Sequence, residues 1–374
     1  MIFNMGGTMN KTGFGFLRLP RLDQSDEKSV DYELLNKMVD IFLEKGGFYF
    51  DTAYTYLGGV SEEALRKSLV ERYPRDSFQI ADKLPGYKVK SYEECYTYFA
   101  EQQRRCGVEF FDVYMLHWLN NKNYALAEQF DEFRFLSELK KSGKAKKIGF
   151  SYHDGPELLD TILTAHPEID IVQIQFNYLD WNSEALRAKE LYEIGVKHGK
   201  QMIIMEPVKG GNLAKLPESA ESLLKKLRPD ESIASWAIRF ASSLEHVAIV
   251  LSGMNSMEQL YDNMRALEPV TEEECAVLEQ AADMIRANTA IPCTGCNYCA
   301  PNCPMNIPIP RYFAMYNDHK RYPDEMWKMK PVYKEITAAF SPTSACIECR
   351  NCERNCPQKL EITSFLKQVK EAFE

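Results

Sequence analysis

The sequence has no long run of apolar residues and no basic segment. Its longest apolar stretch, His246 to Gly253, is far shorter than the ~20 residues that a membrane-spanning helix needs. Acidic residues outnumber basic ones, 54 against 45, for a formal charge of −9. The chain is therefore a poor candidate for binding nucleic acid or an anionic membrane. The first residues, MIFNMGGTMNKTG, lack a basic region followed by an apolar block, so we predict no signal peptide and expect a cytoplasmic location.

Cysteine is scarce over most of the chain. Eight of the 11 cysteines lie between residues 293 and 356, and we expect Cys95, Cys106 and Cys275 to be small buried apolar residues. An odd number of cysteines in a large intracellular chain does not form a disulfide framework. The asymmetry predicts a cysteine-poor domain over residues 1–286 and a cysteine-rich domain over residues 287–374.

Short β-branched or aromatic runs recur through the longer domain, separated by amphipathic helical patterns. Their spacing is close to the ~30 residues of a strand–helix unit. The eight runs begin near Gly13, Phe48, Phe78, Asp112, Lys147, Ile171, Met202 and Val247. Eight such units over ~250 residues predict a closed (β/α)8 TIM barrel of the α/β class. The alternative is an open doubly wound sheet, but the GxGxxG segment typical of that fold does not follow the first strand.

Barrel enzymes carry their chemistry at the C-terminal ends of the strands. Four polar residues stand at or just after such ends: Asp51, Tyr56, Lys83 and His117. Each alone has a structural explanation, such as a helix cap or a packed ring. Together they suit the reduction of a carbonyl by hydride, in which a phenol donates a proton to the carbonyl oxygen. The ordinary pKa of tyrosine is about 10, and we expect the Lys83 ammonium to lower it while Asp51 holds Lys83 and His117 orients the carbonyl.

These segments resemble the aldo-keto reductase family. FDTAYTYLGG is similar to the DTA-x-x-Y segment of that family, ADKLP carries its lysine, and VYMLHW resembles its histidine strand. The similarity extends over about residues 10 to 285. It implies that Tyr56 is the general acid, supported by the other three residues. It also implies that an extended nicotinamide dinucleotide binds across the barrel mouth without a Rossmann domain.

Carried over position by position, the resemblance implies a dinucleotide site. Ser151 and Gln173 would hold the carboxamide, and Met205 would lie where an aromatic residue usually stacks on the nicotinamide. Lys209 to Gly211 and Gly253 to Asn255 would bracket the pyrophosphate and ribose, with Pro207 as a further contact. Gln259 and Asn263 would reach the adenosine end. The sequence departs from the family at Tyr152, Met205 and Gln259, which stand where an asparagine, a stacking tyrosine and an arginine are usual. Because a 2′-phosphate is usually bound by Arg or Lys, we expect NADH in preference to NADPH.

The shorter domain contains one cysteine pattern twice. Residues 293–304 read CTGCNYCAPNCP and residues 346–357 read CIECRNCERNCP, so both follow C-x2-C-x2-C-x3-C-P. This spacing is typical of paired 4Fe–4S clusters, in which the fourth cysteine of each run binds the other cluster. A zinc site usually uses two separated pairs instead. The predicted ligands are Cys293, Cys296, Cys299 and Cys356 for cluster 1, and Cys346, Cys349, Cys352 and Cys303 for cluster 2.

The segment between the two cysteine runs is too long for a compact β-rich bacterial ferredoxin. PRYFAMYNDHKRY and EMWKMKPVYKEITAAF predict helices, the second interrupted at Pro331. The last helix is predicted to present one apolar face made of Ile362, Phe365, Leu366, Val369 and Phe373. We therefore expect an all-α ferredoxin-like domain. A similar double motif is found in iron–sulfur subunits of the succinate dehydrogenase type, and MEPVKGG with CIECRNCERNCPQ resembles a branch of aldo-keto reductases that ends in such a domain.

Hydride transfer moves two electrons and a 4Fe–4S cluster passes one, which leaves three functions open. The first is an NAD(P)H-dependent reductase of a small carbonyl compound, an aldehyde, ketone or sugar, whose clusters are structural or serve a partner. The second is an electron-transfer oxidoreductase in which the barrel binds a flavin, or a substrate able to accept single electrons, and the clusters connect it to a ferredoxin-like donor. The third is a non-catalytic scaffold or redox sensor, which the four polar residues argue against. Tyr54 and Trp118 are expected to wall the substrate pocket, with His153 nearby.

Overall fold

The computed structural model of the chain describes residues 11–24, 26–183, 186–265, 268–321 and 326–374. They form two compact units. The barrel unit holds the described residues of Met1–Asn182, Arg187–Pro207 and Ser235–Val270. The cluster unit holds those of Ser183–Leu186, Val208–Ala234 and Thr271–Glu374. The cluster unit therefore includes segments of the cysteine-poor domain that the sequence predicts over residues 1–286. The predicted domain boundary between residues 286 and 287 stays a prediction.

The barrel unit contains eight parallel strands that close into a barrel in chain order, with the first strand paired to the eighth. All eight predicted strands, and with them the (β/α)8 barrel, are confirmed. Several strands are buried along their whole length, as expected when both faces of a parallel sheet are covered. The strands are β1 (Thr12–Gly15), β2 (Tyr49–Asp51), β3 (Gln79–Leu84), β4 (Phe111–Leu119), β5 (Ala145–Tyr152), β6 (Ile171–Gln175), β7 (Gln201–Met205) and β8 (Val247–Ser252).

Helices follow the strands, as the sequence pattern predicts. Before β8 they are α1 (Tyr32–Glu44), α2 (Ser61–Leu65), α3 (Tyr92–Cys106), α4 (Asn121–Gln129), α5 (Glu132–Lys141), α6 (Pro156–Ala165), α7 (Ala188–Lys197), α8 (Glu218–Leu227) and α9 (Ile233–Ser242). After β8 they are α10 (Met257–Asn263), α11 (Glu272–Ala287), α12 (Ile309–Arg321), α13 (Met326–Ala339), α14 (Asn351–Arg354) and α15 (Ile362–Phe373). Among the described residues, no helix is both long and apolar enough to span a membrane.

The barrel interior contains a packed apolar core to which six of the strands contribute. Its buried members are Tyr49, Ala81, Val113, Met115, Ile171, Ile203, Ile249 and Leu251. Because side chains alternate along a strand, the residue two positions further on points to the same side. This core therefore fixes which residues form the next layer towards the C-terminal ends of the strands.

The C-terminal region of the cluster unit is helical, as predicted. Its buried core joins α12, α13 and α15 and includes Phe313, Ile336, Leu366 and Val369. The Thr271 side chain and Glu274 form a capping box at the start of α11.

Two expectations about these helices and cysteines are corrected. The helix α13 continues through Pro331, and the carbonyl that this proline leaves without a donor belongs to Trp327, which is exposed. Cys95 and Cys106 are buried as expected, but Cys275 is only partly buried.

Candidate functional site

The strand alternation brings most of the predicted site residues to one end of the barrel. Three predicted catalytic residues and two predicted nicotinamide contacts each follow a residue of the interior core by two positions, whereas Tyr56 lies in the turn after β2. The pairs are Tyr49 and Asp51, Ala81 and Lys83, Met115 and His117, Ile171 and Gln173, and Ile203 and Met205. The same alternation therefore builds the core and aims a set of functional groups at the barrel mouth.

Lys83 and Asp51 form a buried ion pair. The Lys83 Nζ donates to Asp51 Oδ1 at 2.7 Å, to Asp51 Oδ2 at 2.8 Å and to the Thr52 carbonyl oxygen at 2.8 Å. The Lys83 side chain is fully buried. An ammonium has three donors, so these three contacts fix its position.

Tyr56 lies beside this pair, in a turn after β2 that continues with positive φ at Leu57 (+51°) and Gly58 (+60°). The Lys83 Nζ is 5.0 Å from the centroid of the Tyr56 ring. The His117 ring meets the same ring nearly edge-on, with centroids 5.7 Å apart. The structure thus brings together all four predicted catalytic residues.

The expected lowering of the Tyr56 pKa is wrong for this state of the protein. Burial, followed by the Asp51 carboxylate, raises the pKa of Tyr56 well above its ordinary value. The main physical reason is burial, because surroundings without water disfavour the charged phenolate. The phenol consequently stays protonated and has a proton to donate.

His117 is a neutral imidazole in this site. Burial, then the charges of Lys83 and His153, hold the pKa of His117 well below its ordinary value. Its Nδ1 is buried and has no hydrogen-bond partner among the described residues. A neutral imidazole offers one donor and one acceptor, so His117 can hydrogen-bond a carbonyl oxygen without adding a charge.

A network behind β3, which the sequence analysis missed, holds the peptide of Lys83. The Lys83 N–H donates to Asp82 Oδ1 at 2.8 Å, and Gln102 Nε2 donates to the Lys83 carbonyl oxygen at 3.1 Å. The Tyr114 hydroxyl donates to Gln102 Oε1 at 2.6 Å. Asp82 precedes Lys83 and points to the opposite face of β3. A charged residue at this position in an apolar strand was the sequence feature that could have predicted the network.

The mouth is walled by aromatic rings, of which sequence reasoning found only part. Tyr87 lies 6.1 Å from the His117 ring and 5.8 Å from the Trp118 ring, centroid to centroid. Trp118 in turn meets His153 at 6.4 Å. The hydroxyl of Tyr54 instead donates to Glu101 on α3 at 3.0 Å. Tyr87 is thus an additional ring at the mouth, whereas Tyr54 is tied to α3.

The residues proposed for the nicotinamide carboxamide are neighbours across β5, β6 and β7. Ser151 pairs with Gln173 in the sheet, and the Ser151 hydroxyl oxygen accepts from the Trp118 N–H at 2.7 Å. Gln173 Nε2 donates to the Met205 sulfur at 3.7 Å, and Pro207 is buried just beyond. Gln173 Oε1 is buried without a partner among the described residues. An unpaired buried acceptor fits the N–H donors of a carboxamide.

The residues after β8 that were proposed for the pyrophosphate, ribose and adenosine differ in exposure. Gly253, Asn255 and Gln259 are exposed, and Gln259 Oε1 accepts from the Asn255 backbone N–H at 2.9 Å. Asn263 is buried, and its Nδ2 donates to the Ser252 hydroxyl at 2.8 Å. The Asn263 amide is therefore bound to the end of β8, and of these four residues only the three exposed ones are accessible to a ligand.

Lys209 to Gly211, proposed for the pyrophosphate, belong to the cluster unit. Lys209 Nζ donates to Gln358 Oε1 at 3.0 Å, and Asn212 Nδ2 donates to the Cys293 carbonyl oxygen at 2.9 Å. These contacts tie the segment to the cysteine-rich region.

Two cavities in the cluster unit gather the eight cysteines into two sets of four. One cavity is lined by Cys293, Cys296, Cys299 and Cys356, and the other by Cys303, Cys346, Cys349 and Cys352. Ile309 lines both cavities. Four thiols around an apolar cavity are the donor set that a 4Fe–4S cluster uses, so the residues fit the two clusters.

The chain belongs to the aldo-keto reductase family. The aldo/keto reductase family model matches residues 13–283, which is most of the chain. A 4Fe–4S dicluster domain model matches residues 292–360. The protein is therefore an oxidoreductase of the aldo-keto reductase family that carries a ferredoxin-type iron–sulfur domain.

Two curated relatives cover the barrel region. The chain is 21% identical over 267 residues to the 9,11-endoperoxide prostaglandin H2 reductase of Trypanosoma cruzi, covering 71% of this chain and 88% of the relative. It is 23% identical over 228 residues to the NADH-specific methylglyoxal reductase of Escherichia coli, covering 53% of this chain and 67% of the relative.

Solved structures show the same fold. The aldo-keto reductase AKR11C1 from Bacillus halodurans superposes with a TM-score of 0.58 at 24% identity, covering 72% of this chain and 91% of that chain. An aldo/keto reductase from Klebsiella pneumoniae, solved in complex with NADP and acetate, gives a TM-score of 0.57 at 17% identity, covering 72% of this chain and 90% of that chain.

Proposed function

We propose that the protein is an NAD(P)H-dependent carbonyl reductase in which Tyr56 is the general acid. The observation that carries this proposal is the buried set of Asp51, Lys83, Tyr56 and His117 at the barrel mouth. When bound, the nicotinamide supplies the hydride for the carbonyl carbon. The chain has to supply a proton for the carbonyl oxygen, on which negative charge develops.

The four residues divide this task. The Tyr56 hydroxyl donates the proton, and the phenolate that results lies beside the Lys83 ammonium, which stabilises it. The neutral His117 imidazole hydrogen-bonds the carbonyl oxygen and orients it for the transfer. Asp51 holds the ammonium in place through the contacts of 2.7 and 2.8 Å to its two carboxylate oxygens.

The nicotinamide site proposed for this reaction uses Ser151, Gln173 and Met205, with Pro207 beside them. Support comes from the unpaired buried Gln173 Oε1 and from the Klebsiella pneumoniae protein, which binds NADP on the same fold. We retain Gly253 and Asn255 for the pyrophosphate and ribose and Gln259 for the adenosine, and none of these residues is basic. NADH is therefore the proposed coenzyme, and the Escherichia coli relative named NADH-specific supports it.

The substrate that we propose is a small aldehyde or ketone that fits against the Tyr87 and Trp118 rings. The methylglyoxal reductase among the relatives acts on a compound of this class. The reduction of such a compound does not require the iron–sulfur clusters, because hydride transfer completes it without a one-electron step.

Tyr56→Phe tests the proposal. Loss of a general acid should lower kcat with NADH and a small aldehyde by about 10²–10⁴-fold. Tyr49→Phe is the matched control, because its hydroxyl is also buried in the barrel but has no partner among the described residues. Carbonyl reduction by Tyr56→Phe at the rate of the Tyr49→Phe control would refute the assignment.

A second candidate function is electron exchange between the clusters and a ferredoxin-like protein. It is favoured by the cluster 2 region, where Cys349 and the neighbouring Ile347 are exposed. Bleaching of the cluster absorbance when anaerobic protein is mixed with a reduced ferredoxin supports this function. The same spectrum reveals a bound flavin, which the alternative with a flavin in the barrel requires.

A further inference from the structure

The segment after Pro207 makes a sharp turn within the cluster unit. Lys209, Gly210 and Gly211 have positive φ values of +48°, +66° and +102°. This conformation costs little for the two glycines but is strained for Lys209. A strained lysine is kept only where its surroundings hold it, so the contacts of this turn are informative.

The turn packs closely against the loop that starts cluster 1. A Cβ built on Gly210 would overlap the carbonyl oxygen of Thr294, so only glycine allows this approach. Asn212 Nδ2 donates to the carbonyl oxygen of Cys293 at 2.9 Å. The turn thus touches the residues at and just after the first cysteine of cluster 1.

Lys209 fixes the side chain of Gln358, which follows Cys356 by two residues. The Lys209 Nζ donates to Gln358 Oε1 at 3.0 Å, and the two residues are only 3% and 6% exposed. An ammonium has donors but no acceptor, so the amide oxygen has to face it. The amide nitrogen of Gln358 is therefore directed elsewhere.

That nitrogen is buried and has no hydrogen-bond partner among the described residues. Gln358 lines the same cavity as Cys293, Cys296, Cys299 and Cys356. A buried N–H group without a partner is costly, and its natural acceptor in this cavity is a sulfur of the cluster.

We propose that Lys209 and Gln358 form a relay that sets the reduction potential of cluster 1. Gln358 donates an Nε2–H hydrogen bond to a sulfur of the cluster, and Lys209 orients the amide and adds a buried positive charge nearby. Both effects favour the reduced cluster, which carries one more negative charge, and so raise its potential. The relay rests on the proposed function only in requiring the clusters, and it assigns Lys209 to cluster 1 instead of to the dinucleotide pyrophosphate.

The test is a potentiometric titration of the full-length, anaerobically purified protein, followed by electron paramagnetic resonance. Wild-type protein should hold about eight iron atoms per chain and show two reduction steps. Gln358→Met and Lys209→Met should each move the same step to a more negative potential and leave the other unchanged. A tenfold change in the ratio of oxidised to reduced cluster corresponds to about 59 mV for one electron, and we expect a shift of about this size.

Two further variants separate tuning from general damage. Lys209→Arg keeps the charge and the donors, so it should restore most of the potential. Lys200→Met removes another buried lysine, whose Nζ donates to the Pro167 and Ile169 carbonyl oxygens in the barrel unit, and it should move neither step. If Gln358→Met loses iron, Gln358→Glu keeps an acceptor for Lys209 without the N–H donor and should also lower the potential.

Unchanged potentials in Lys209→Met and Gln358→Glu at full iron content would overturn the relay. A weaker affinity of Lys209→Met for NADH, with no change in either potential, would return Lys209 to the dinucleotide site. The reductase proposal fails by a different result, namely undiminished carbonyl reduction in Tyr56→Phe, so the two failures are distinguishable.

Discussion

The barrel unit and the cluster unit hold their functional residues by different means. In the barrel unit Asp51, Lys83 and His117 stand on strands, whose positions the hydrogen bonds of the sheet fix. In the cluster unit most of the cysteines stand in turns and loops, and Cys352 lies on a single-turn helix, α14. The candidate active site is therefore preorganised by the backbone, whereas we expect the geometry of the cysteine sets to depend on the clusters proposed for them.

The largest expected effect that separates the two units is that of iron removal. Chelation of iron under anaerobic conditions should expose the backbone amides of the two cysteine loops and of α12 and α15 to hydrogen exchange, because the ligands lose the group that joins them. The amides of β3, β4 and β5 should keep their protection. Hydrogen exchange followed by mass spectrometry checks this, and equal loss of protection in both units would contradict the comparison.

The next largest effect is expected at the buried ion pair of the barrel. Lys83→Met leaves Asp51 buried without its partner, which should lower the free energy of unfolding by about 3–5 kcal/mol. Lys37→Met is the control, because Lys37 pairs with Glu33 at the same 2.7 Å distance on an exposed helix surface. Its removal should have no measurable effect. Denaturant unfolding measures the free energy of unfolding of both variants. Similar values would mean that burial of the Lys83–Asp51 pair contributes little to stability.

The smallest effect is a pH dependence from His153. Burial lowers the pKa of His153 to about 4, against about 6.5 in the unfolded chain. Between these values the unfolded state binds more protons, so the stabilisation is complete above about pH 6.5 and is lost as the pH falls through 4.

His153→Gln should therefore show a flatter fall in stability than the wild type between pH 7 and pH 5. Hydrogen exchange of the barrel strands is the appropriate measurement, since it does not depend on the acid lability of the clusters. Parallel pH profiles in the two proteins would show that His153 is not the titrating group.

The comparison also explains how much the sequence alone could predict. The barrel followed from eight apolar runs at regular spacing, and the convergence of Asp51, Lys83 and His117 followed from their places at strand ends. Both features depend on local pattern and on alternation along a strand. The grouping of cysteines into two cavities agrees with the spacing rule for paired clusters, again because the rule is local in each run.

Other features depend on tertiary contacts and were not accessible from sequence patterns. Burial, followed by the Asp51 carboxylate, raises the Tyr56 pKa, whereas the sequence pattern had predicted that Lys83 would lower it. Tyr87 comes to the mouth through a short turn after β3 that has no periodic signal. Lys209 and Gln358 are 149 residues apart in the chain, and no pattern in the sequence connects them.

The measurement that tests the central claim most directly is single-turnover hydride transfer with NADH in Tyr56→Phe, beside Tyr49→Phe. If Tyr56 supplies the proton, the rate constant should fall by about 10²–10⁴-fold in Tyr56→Phe. The affinity for NADH should stay at the wild-type value, and Tyr49→Phe should match the wild type in both quantities. An unchanged rate constant in Tyr56→Phe with NADH fully bound would contradict the account.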